Sequence, residues 1–294
     1  MNSIKTTEGI NPNSKDIETK DISEILEIFN FEDSSIIISI NKVLPDIEDL
    51  IELVIQCFKN NGRLIYVGSG TSGRLGILDA SECPPTFGVS SEMVQGIIAG
   101  GNKAVFSSIE GAEDSSEEGA KSILDKKINN SDIVVGISAS GTTPYVLGAL
   151  EKAKEVGSKT ALIQCNNINQ KKYIDKCISI IVGPEIIAGS TRMKAGTATK
   201  MVLNMITTIS MIKINKTHGN IMSDLKIANT KLLNRGVNII SDMLLISKET
   251  AEEYLIDSKG SIKIAIIMYK HKVSYQEAKS KLARNNNSLS GIID

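Results

Sequence analysis

Residues Tyr66–Gly88 read YVGSGTSGRLGILDASECPPTFG. With the two residues before it the stretch opens as an apolar run, Leu64-Ile65-Tyr66-Val67, the pattern of a strand buried in a parallel sheet. It breaks into Gly68-Ser69-Gly70-Thr71-Ser72-Gly73, glycines alternating with hydroxyls, and a helix-compatible run follows from Arg74 to Asp79. Strand, glycine-hydroxyl loop and helix together form an anion-binding geometry. Backbone N–H groups and the helix dipole face the ligand, and the hydroxyls add donors. Gly68, Gly70 and Gly73 match the dinucleotide pattern G-x-G-x-x-G, but Asp79 and Glu82 come too early for its ribose-binding acid, and Pro84-Pro85 interrupts the unit. No Gly-Lys-Ser/Thr ending marks a P-loop. The excess of serine and threonine points to the phosphate of a small polar molecule, a sugar before others. A turn that merely joins strand to helix is the alternative.

The same grammar returns about 70 residues later. Ile133-Val134-Val135-Gly136-Ile137 is an apolar strand, Ser138-Ala139-Ser140-Gly141-Thr142-Thr143-Pro144 a second hydroxyl loop, and Tyr145–Val156 an amphipathic helix with Glu151, Lys152, Lys154 and Glu155 on its wet side. Two such units are expected to converge on one ligand where strand order reverses in a single sheet. Ser69, Thr71, Ser72, Ser138, Ser140, Thr142 and Thr143 are the candidate phosphate-binding residues, helix capping by one or two of them being the other use for a hydroxyl there.

Strands are expected near 64–67, 94–98, 133–137, 160–164 and 178–182, alternating with helices, which predicts an α/β fold with a doubly wound parallel sheet flanked by helices. The reading divides the chain into an N-terminal helical segment (1–54), a phosphosugar-binding domain (55–218) and a C-terminal helical region (219–294). A helix is expected to start at Asp21, and three helices between about 245 and 285.

A chain of 294 residues has ample length for a core. Its net charge of −1 gives no basic field, so no nucleic-acid partner is expected. No apolar run reaches a membrane span, and MNSIKTTEGINPNSKD carries no signal-peptide core, so a cytoplasmic protein with no membrane partner is expected. Cys57, Cys83, Cys165 and Cys177 lack a CxxC spacing and read as reduced thiols. With His218 and His271 the only histidines, no metal or other cofactor is expected.

At both loops the chain resembles the sugar isomerase (SIS) family of phosphosugar-binding domains. Within it the chain is similar to the N-acetylmuramic acid 6-phosphate etherase family. The resemblance rests on TEGINPNSKDIE, GSGTSGRLGILDASECPPTFG, the GAED of Gly111–Asp114, SASGTTPYV, GPEIIAGSTRMKAGTATKMVLNM and HGNIMSDLKIANTKLLNR. These segments run in family order across most of the chain. The resemblance implies a SIS fold, a homodimer, and C-terminal helices ending in a ubiquitin-associated-like unit. It also implies an aromatic residue where this chain has His218.

The implied reaction is cleavage of the D-lactyl ether of N-acetylmuramic acid 6-phosphate, giving N-acetylglucosamine 6-phosphate and D-lactate in amino-sugar catabolism. The activity is that of a carbon–oxygen lyase. An ether is hard to displace directly, whereas the open-chain aldehyde makes the C2 hydrogen acidic. A base then removes that hydrogen, an acid protonates the departing oxygen, and water adds back at C3. By the resemblance Glu82 is the acid and Glu113 the base. On spacing alone Glu113 also reads as an ordinary acidic residue before a helix, and Glu82 as part of a proline-stiffened loop. In Gly189-Ser190-Thr191-Arg192-Met193-Lys194 two cations stand beside hydroxyls, within reach of a lactyl carboxylate or of a neighbouring subunit, a solvated helix start being the alternative. A phosphosugar isomerase or a non-catalytic phosphosugar sensor would use the same loops, and lactate release separates them.

Overall fold

The computed structural model describes residues 6–168, 171–225, 227 and 229–293. Residues 1–5 of the polar lead-in, and Lys226 and Ala228 of the C-terminal motif, lie outside the described residues. The chain divides into two compact units, one of residues 1–81 and 92–207, the other of 82–91 and 208–294.

The first unit begins with three short 3-10 turns and then α1 (Ile22–Asn41) and α2 (Leu44–Lys59). α1 starts where a capping box permits: the Asp21 side chain accepts from the Glu24 N–H at 2.9 Å, and Glu24 accepts from the Asp21 N–H at 3.1 Å. The strands are β1 (Leu64–Gly68), β2 (Val94–Ile98), β3 (Ile133–Ile137), β4 (Lys159–Gln164) and β5 (Lys176–Ser179). They form one parallel sheet in the order β2-β1-β3-β4-β5, so β1 and β3 are neighbours and the strand order reverses at β1. The helices of this sheet are α3 (Gly70–Phe87), α4 (Lys103–Phe106), α5 (Ser116–Asp125), α6 (Pro144–Glu155) and α7 (Lys194–Lys213).

Both faces of the sheet are covered, which is why β1 and β3 are apolar throughout. Ile65, Val67, Val134 and Leu162 pack with Ile123 of α5 and with Val146, Ala149, Leu150 and Ala153 of α6. Each fully buried Leu, Ile or Val here contributes about 1.5–3 kcal/mol relative to exposure. Tyr66 meets α3 at Gly76, where a Cβ would stand 2.8 Å from the tyrosine Cβ. Between α5 and α6 the approach is closer still. A Cβ on Gly119 would lie 2.0 Å from the Tyr145 carbonyl oxygen, and one on Gly148 2.2 Å from that of Ser116.

Polar clusters also lie inside this unit. Asp79 of α3 accepts from Thr207 Oγ1 at 3.1 Å and bonds the Tyr66 hydroxyl; Asn204 donates to it at 3.1 Å and accepts from Lys200 at 2.8 Å. Burial pushes the Asp79 carboxyl up to about 6, against the lowering effect of Thr207, Tyr66 and Lys200. Elsewhere Lys194, 2% exposed, pairs with buried Glu32, while its backbone N–H and that of Ala195 each donate to the Glu185 carboxylate at 2.9 Å. Burial works to raise the Glu32 carboxyl, but bonds from Asn13 and Lys194 bring it below its ordinary value. Lys194 therefore joins α1 to the start of α7 and is not the ligand-facing cation that its place beside Arg192 suggests.

In the second unit α8 (Thr230–Leu244), α9 (Lys248–Asp257), α10 (Ile262–His271) and α11 (Tyr275–Arg284) share a core of Val237, Ile240, Leu255, Ile266, Ala278 and Leu282. Ser247, Ser261 and Ser274 cap the last three helices, which fall where three were expected. Lys263 on central α10 is buried, bonded to the Asn215 and Asn287 carbonyls and paired with Asp224. Gly88 (φ 64°) abuts the Asp224 carbonyl, where a Cβ would come within 1.9 Å, so residues 82–91 group with these helices.

Two local expectations change. Pro84 and Pro85 do not stop the helix of the first loop. They sit inside the last turns of α3, which ends at Phe87, and the Gly88 N–H donates to the Pro84 carbonyl at 3.0 Å. Glu82 is accordingly a helical residue. The last strand lies at Lys176–Ser179 instead of 178–182, because its partner β4 ends at Gln164 and Cys165 turns to donate to the Ala139 carbonyl.

Gly148→Ala is expected to destabilise the first unit by about 1–3 kcal/mol, since the added carbon meets backbone and not a movable side chain; the urea midpoint measures it. For Asp79 the raised folded-state pKa means that its contribution is most favourable below about 4 and declines as pH rises to about 6. Asp79→Asn should therefore gain stability relative to the parent chain as pH rises across that window, in paired thermal melts at pH 4 and pH 7.

Candidate active site

The loops after β1 and β3 leave the same edge of the sheet and enclose a cavity of about 440 Å³. All seven predicted hydroxyl residues line it: Ser69, Thr71 and Ser72 from the first loop, and Ser138, Ser140, Thr142 and Thr143 from the second. Glu113 and Asp114 line it too, with Glu8, Gly189 and Thr191. Among the described residues its lining holds no Lys, Arg or His. An anion held here faces the N-termini of α3 and α6, whose unsatisfied N–H groups supply about half a positive charge each.

The hydroxyls divide into two uses. In the second loop the Gly141 N–H donates to Ser138 Oγ at 3.0 Å, and Ser138 Oγ lies 2.8 Å from Thr143 Oγ1. The Thr142 N–H and Oγ1 donate to Ser140 at 3.2 and 3.1 Å. These bonds hold a turn whose Gly141 has φ 72° and leaves no space for a side chain, a Cβ there falling 2.0 Å from Gln164 Oε1. In the first loop Ser69 Oγ donates to Glu113 Oε2 at 2.9 Å, so this serine holds a carboxylate at the cavity wall.

Glu113 is placed by its backbone as well. Gly111 (φ 73°) opens the turn, the Asp114 N–H donates to the Gly111 carbonyl at 3.2 Å, and Ser115 caps α5. The Glu113 carbonyl accepts the Tyr145 N–H at 3.0 Å, satisfying a first-turn donor of α6. A smaller hollow of about 260 Å³ shares Ser69, Gly70 and Glu113 and adds Glu110 and Arg74. Arg74 donates there to the Val105 and Ser107 carbonyls at 3.0 and 3.1 Å.

Glu82 is exposed on α3, belongs to the second unit, and is not among the residues lining either hollow. Arg192 is exposed and Lys194 buried; His218 is half-buried, its backbone bridged to Ile221. Among the described residues no three His, Cys, Asp or Glu side chains gather as a metal-binding group. Reading residue by residue misses Glu8, and it reads the segment from Gly189 to Lys194 for its cations, whereas Gly189 and Thr191 are the residues that line the cavity. Their signal was the TEGINP and GSTRMK strings, but nothing local shows that these segments meet at the cavity.

Relatives match this chain over nearly its whole length. An N-acetylmuramic acid 6-phosphate etherase of Oceanobacillus iheyensis is 50% identical over 280 residues, covering 95% of each chain. The chain belongs to the N-acetylmuramic acid 6-phosphate etherase family. A second etherase, from Enterococcus faecalis, is 46% identical over 290 residues and covers 98% of both chains. Residues 46–154 match the N-terminal SIS domain of glucokinase regulatory protein, and 219–261 match the C-terminal lid domain of that protein. A Bacteroides fragilis protein described as a phosphosugar isomerase superposes with a TM-score of 0.50 at 18% identity, covering 65% of this chain and 90% of its own, a likeness of fold. The two matched stretches fall on the sheet and on the C-terminal helices of this chain, in that order.

Proposed function

We propose that the chain cleaves the D-lactyl ether of N-acetylmuramic acid 6-phosphate by elimination and water addition, yielding N-acetylglucosamine 6-phosphate and D-lactate. The observation that carries this is its near-half identity to etherases over almost its entire length. The geometry supports it with a hydroxyl-lined cavity at two helix N-termini and a carboxylate held beside it by Ser69. The phosphate anchors at the loops, where each hydrogen bond to a charged oxygen contributes about 1.5–3 kcal/mol.

Glu113 is the base. Its carboxylate can take the C2 proton of the open-chain aldehyde while the anchored phosphate limits how the sugar turns. Glu82 is the acid that protonates the lactate oxygen, a role that rests on its place in DASECPPT. Loss of lactate from C3 leaves an enal, and water added at C3 restores the amino sugar. The substrate is a phosphosugar, and we also propose a homodimeric, cytoplasmic enzyme with no nucleic-acid partner. Leu26, Phe31, Ile37 and Ile38 of α1 stand exposed on a single chain, and the net charge is −1.

Incubation with N-acetylmuramic acid 6-phosphate in deuterated water, followed by NMR, tests the reaction. Lactate together with deuterium at C2 of the product is expected; exchange without lactate would mean an isomerase. Glu113→Gln should lose both signals by about 10²–10⁴-fold, whereas Glu82→Gln should keep C2 exchange and lose lactate. The reverse pattern would exchange the two roles. Ser69→Ala should lower kcat by up to about 10²-fold with no change in melting temperature, because it frees the Glu113 carboxylate from its fixed position.

A further inference from the structure

Glu8 reaches the cavity from the far end of the chain. It lies on a strap, Thr6–Ser14, whose first residues are bound by buried Asn166. The Asn166 Oδ1 accepts from Thr6 Oγ1 at 2.9 Å and from the Thr7 N–H at 3.4 Å, and its Nδ2 donates to Thr7 Oγ1 and to the Ala139 carbonyl, each at 2.9 Å. Asn166 therefore ties the strap directly to the second phosphate loop. Further along, the Gly189 N–H donates to the Thr7 carbonyl at 3.1 Å, and Asn11 Nδ2 donates to the Pro184 carbonyl at 3.1 Å. Thr7 is wholly buried while Glu8, the next residue, lines the cavity. Gly189, at φ 77°, makes room for it: a Cβ there would stand 3.2 Å from Glu8 Oε2.

A carboxylate so placed faces the space proposed above to take the phosphate, with no cation among its described lining residues. It cannot bond phosphate; it can only accept, and the donors of a phosphosugar are its hydroxyls and, on an acetamido sugar, its amide N–H. We propose that Glu8 determines specificity by accepting a hydrogen bond from such a neutral donor on the sugar and by repelling a second anion from the strap side. The inference rests on the proposed phosphosugar reading of the cavity. The phosphate is thereby confined to the loop side, and the sugar's orientation over Glu113 follows from one attraction and one repulsion. Such paired attraction and exclusion is how a site discriminates between ligands of similar size.

Calorimetric titration of the full-length protein with N-acetylglucosamine 6-phosphate and, separately, with inorganic phosphate tests this. Glu8→Gln is expected to bind the phosphosugar about tenfold or more weakly and inorganic phosphate more tightly than the parent chain. Glu8→Asp keeps the charge and withdraws it, so phosphate affinity should stay unchanged while phosphosugar affinity falls. With N-acetylmuramic acid 6-phosphate as substrate, KM should rise for Glu8→Gln with kcat within about twofold. Weakening of both ligands together, with a lowered melting temperature, would make Glu8 a structural residue and overturn the proposal. So would unchanged phosphosugar affinity in both variants. Failure of the parent chain itself to bind the phosphosugar would instead remove the reading of the cavity on which the proposal rests.

Discussion

Where α5 and α6 cross, the Gly119 backbone lies against the Tyr145 carbonyl and Gly148 against that of Ser116. The rest of the site depends on this approach. Each helix is preceded by a functional element, the Glu113 turn before α5 and the second hydroxyl loop before α6. Because the helices touch backbone to backbone, those elements are set side by side, and the Glu113 carbonyl reaches the Tyr145 N–H. The sheet does the remaining work. Its reversal at β1 puts the first loop next to the second, and Ser69 then reaches across to the Glu113 carboxylate.

The charge distribution follows an economical rule. Of the two cations the sequence offers for ligand binding, Lys194 is used inside the structure, where it neutralises Glu32, while Arg192 stays exposed; Arg74, beside the first loop, holds two backbone carbonyls. The cavity is left with hydroxyls, helix N-termini and carboxylates. An anion bound by oriented N–H and O–H groups is held in a preferred direction, whereas a flexible lysine would hold it as a point charge. For a reaction that moves a proton at one carbon of a small sugar, direction matters more than added attraction.

What the sequence made legible was whatever is local. Apolar runs such as Ile133–Ile137 announce buried strands, the two Gly-Ser-Thr loops announce the walls of a hydroxyl-lined cavity, and Asp21 with Glu24 announces a helix start. The same locality explains the misjudged features. Pro84 and Pro85 read as a break because neither has an N–H to give to a helix ladder, yet α3 carries both in its last turn before Phe87. Lys194 looked available because Glu32, its partner, stands 162 residues away. Glu8 drew no notice for the same reason, since its position is decided by Asn166 and Gly189.

The Asn166 bonds to Thr6 and Thr7 join residues 160 and 159 positions apart. The strap is the first part of the described chain to be synthesised; Asn13 can meet Glu32 of α1 early, but Asn166 does not exist until β4 has been made. The strap's hold on the cavity rim must wait until then. Closure of such a loop carries an entropic cost that only a finished partner surface offsets. Occupancy of the rim by Glu8 is thus a late event in folding, and a chain that has closed its strap has already assembled both loops beneath it.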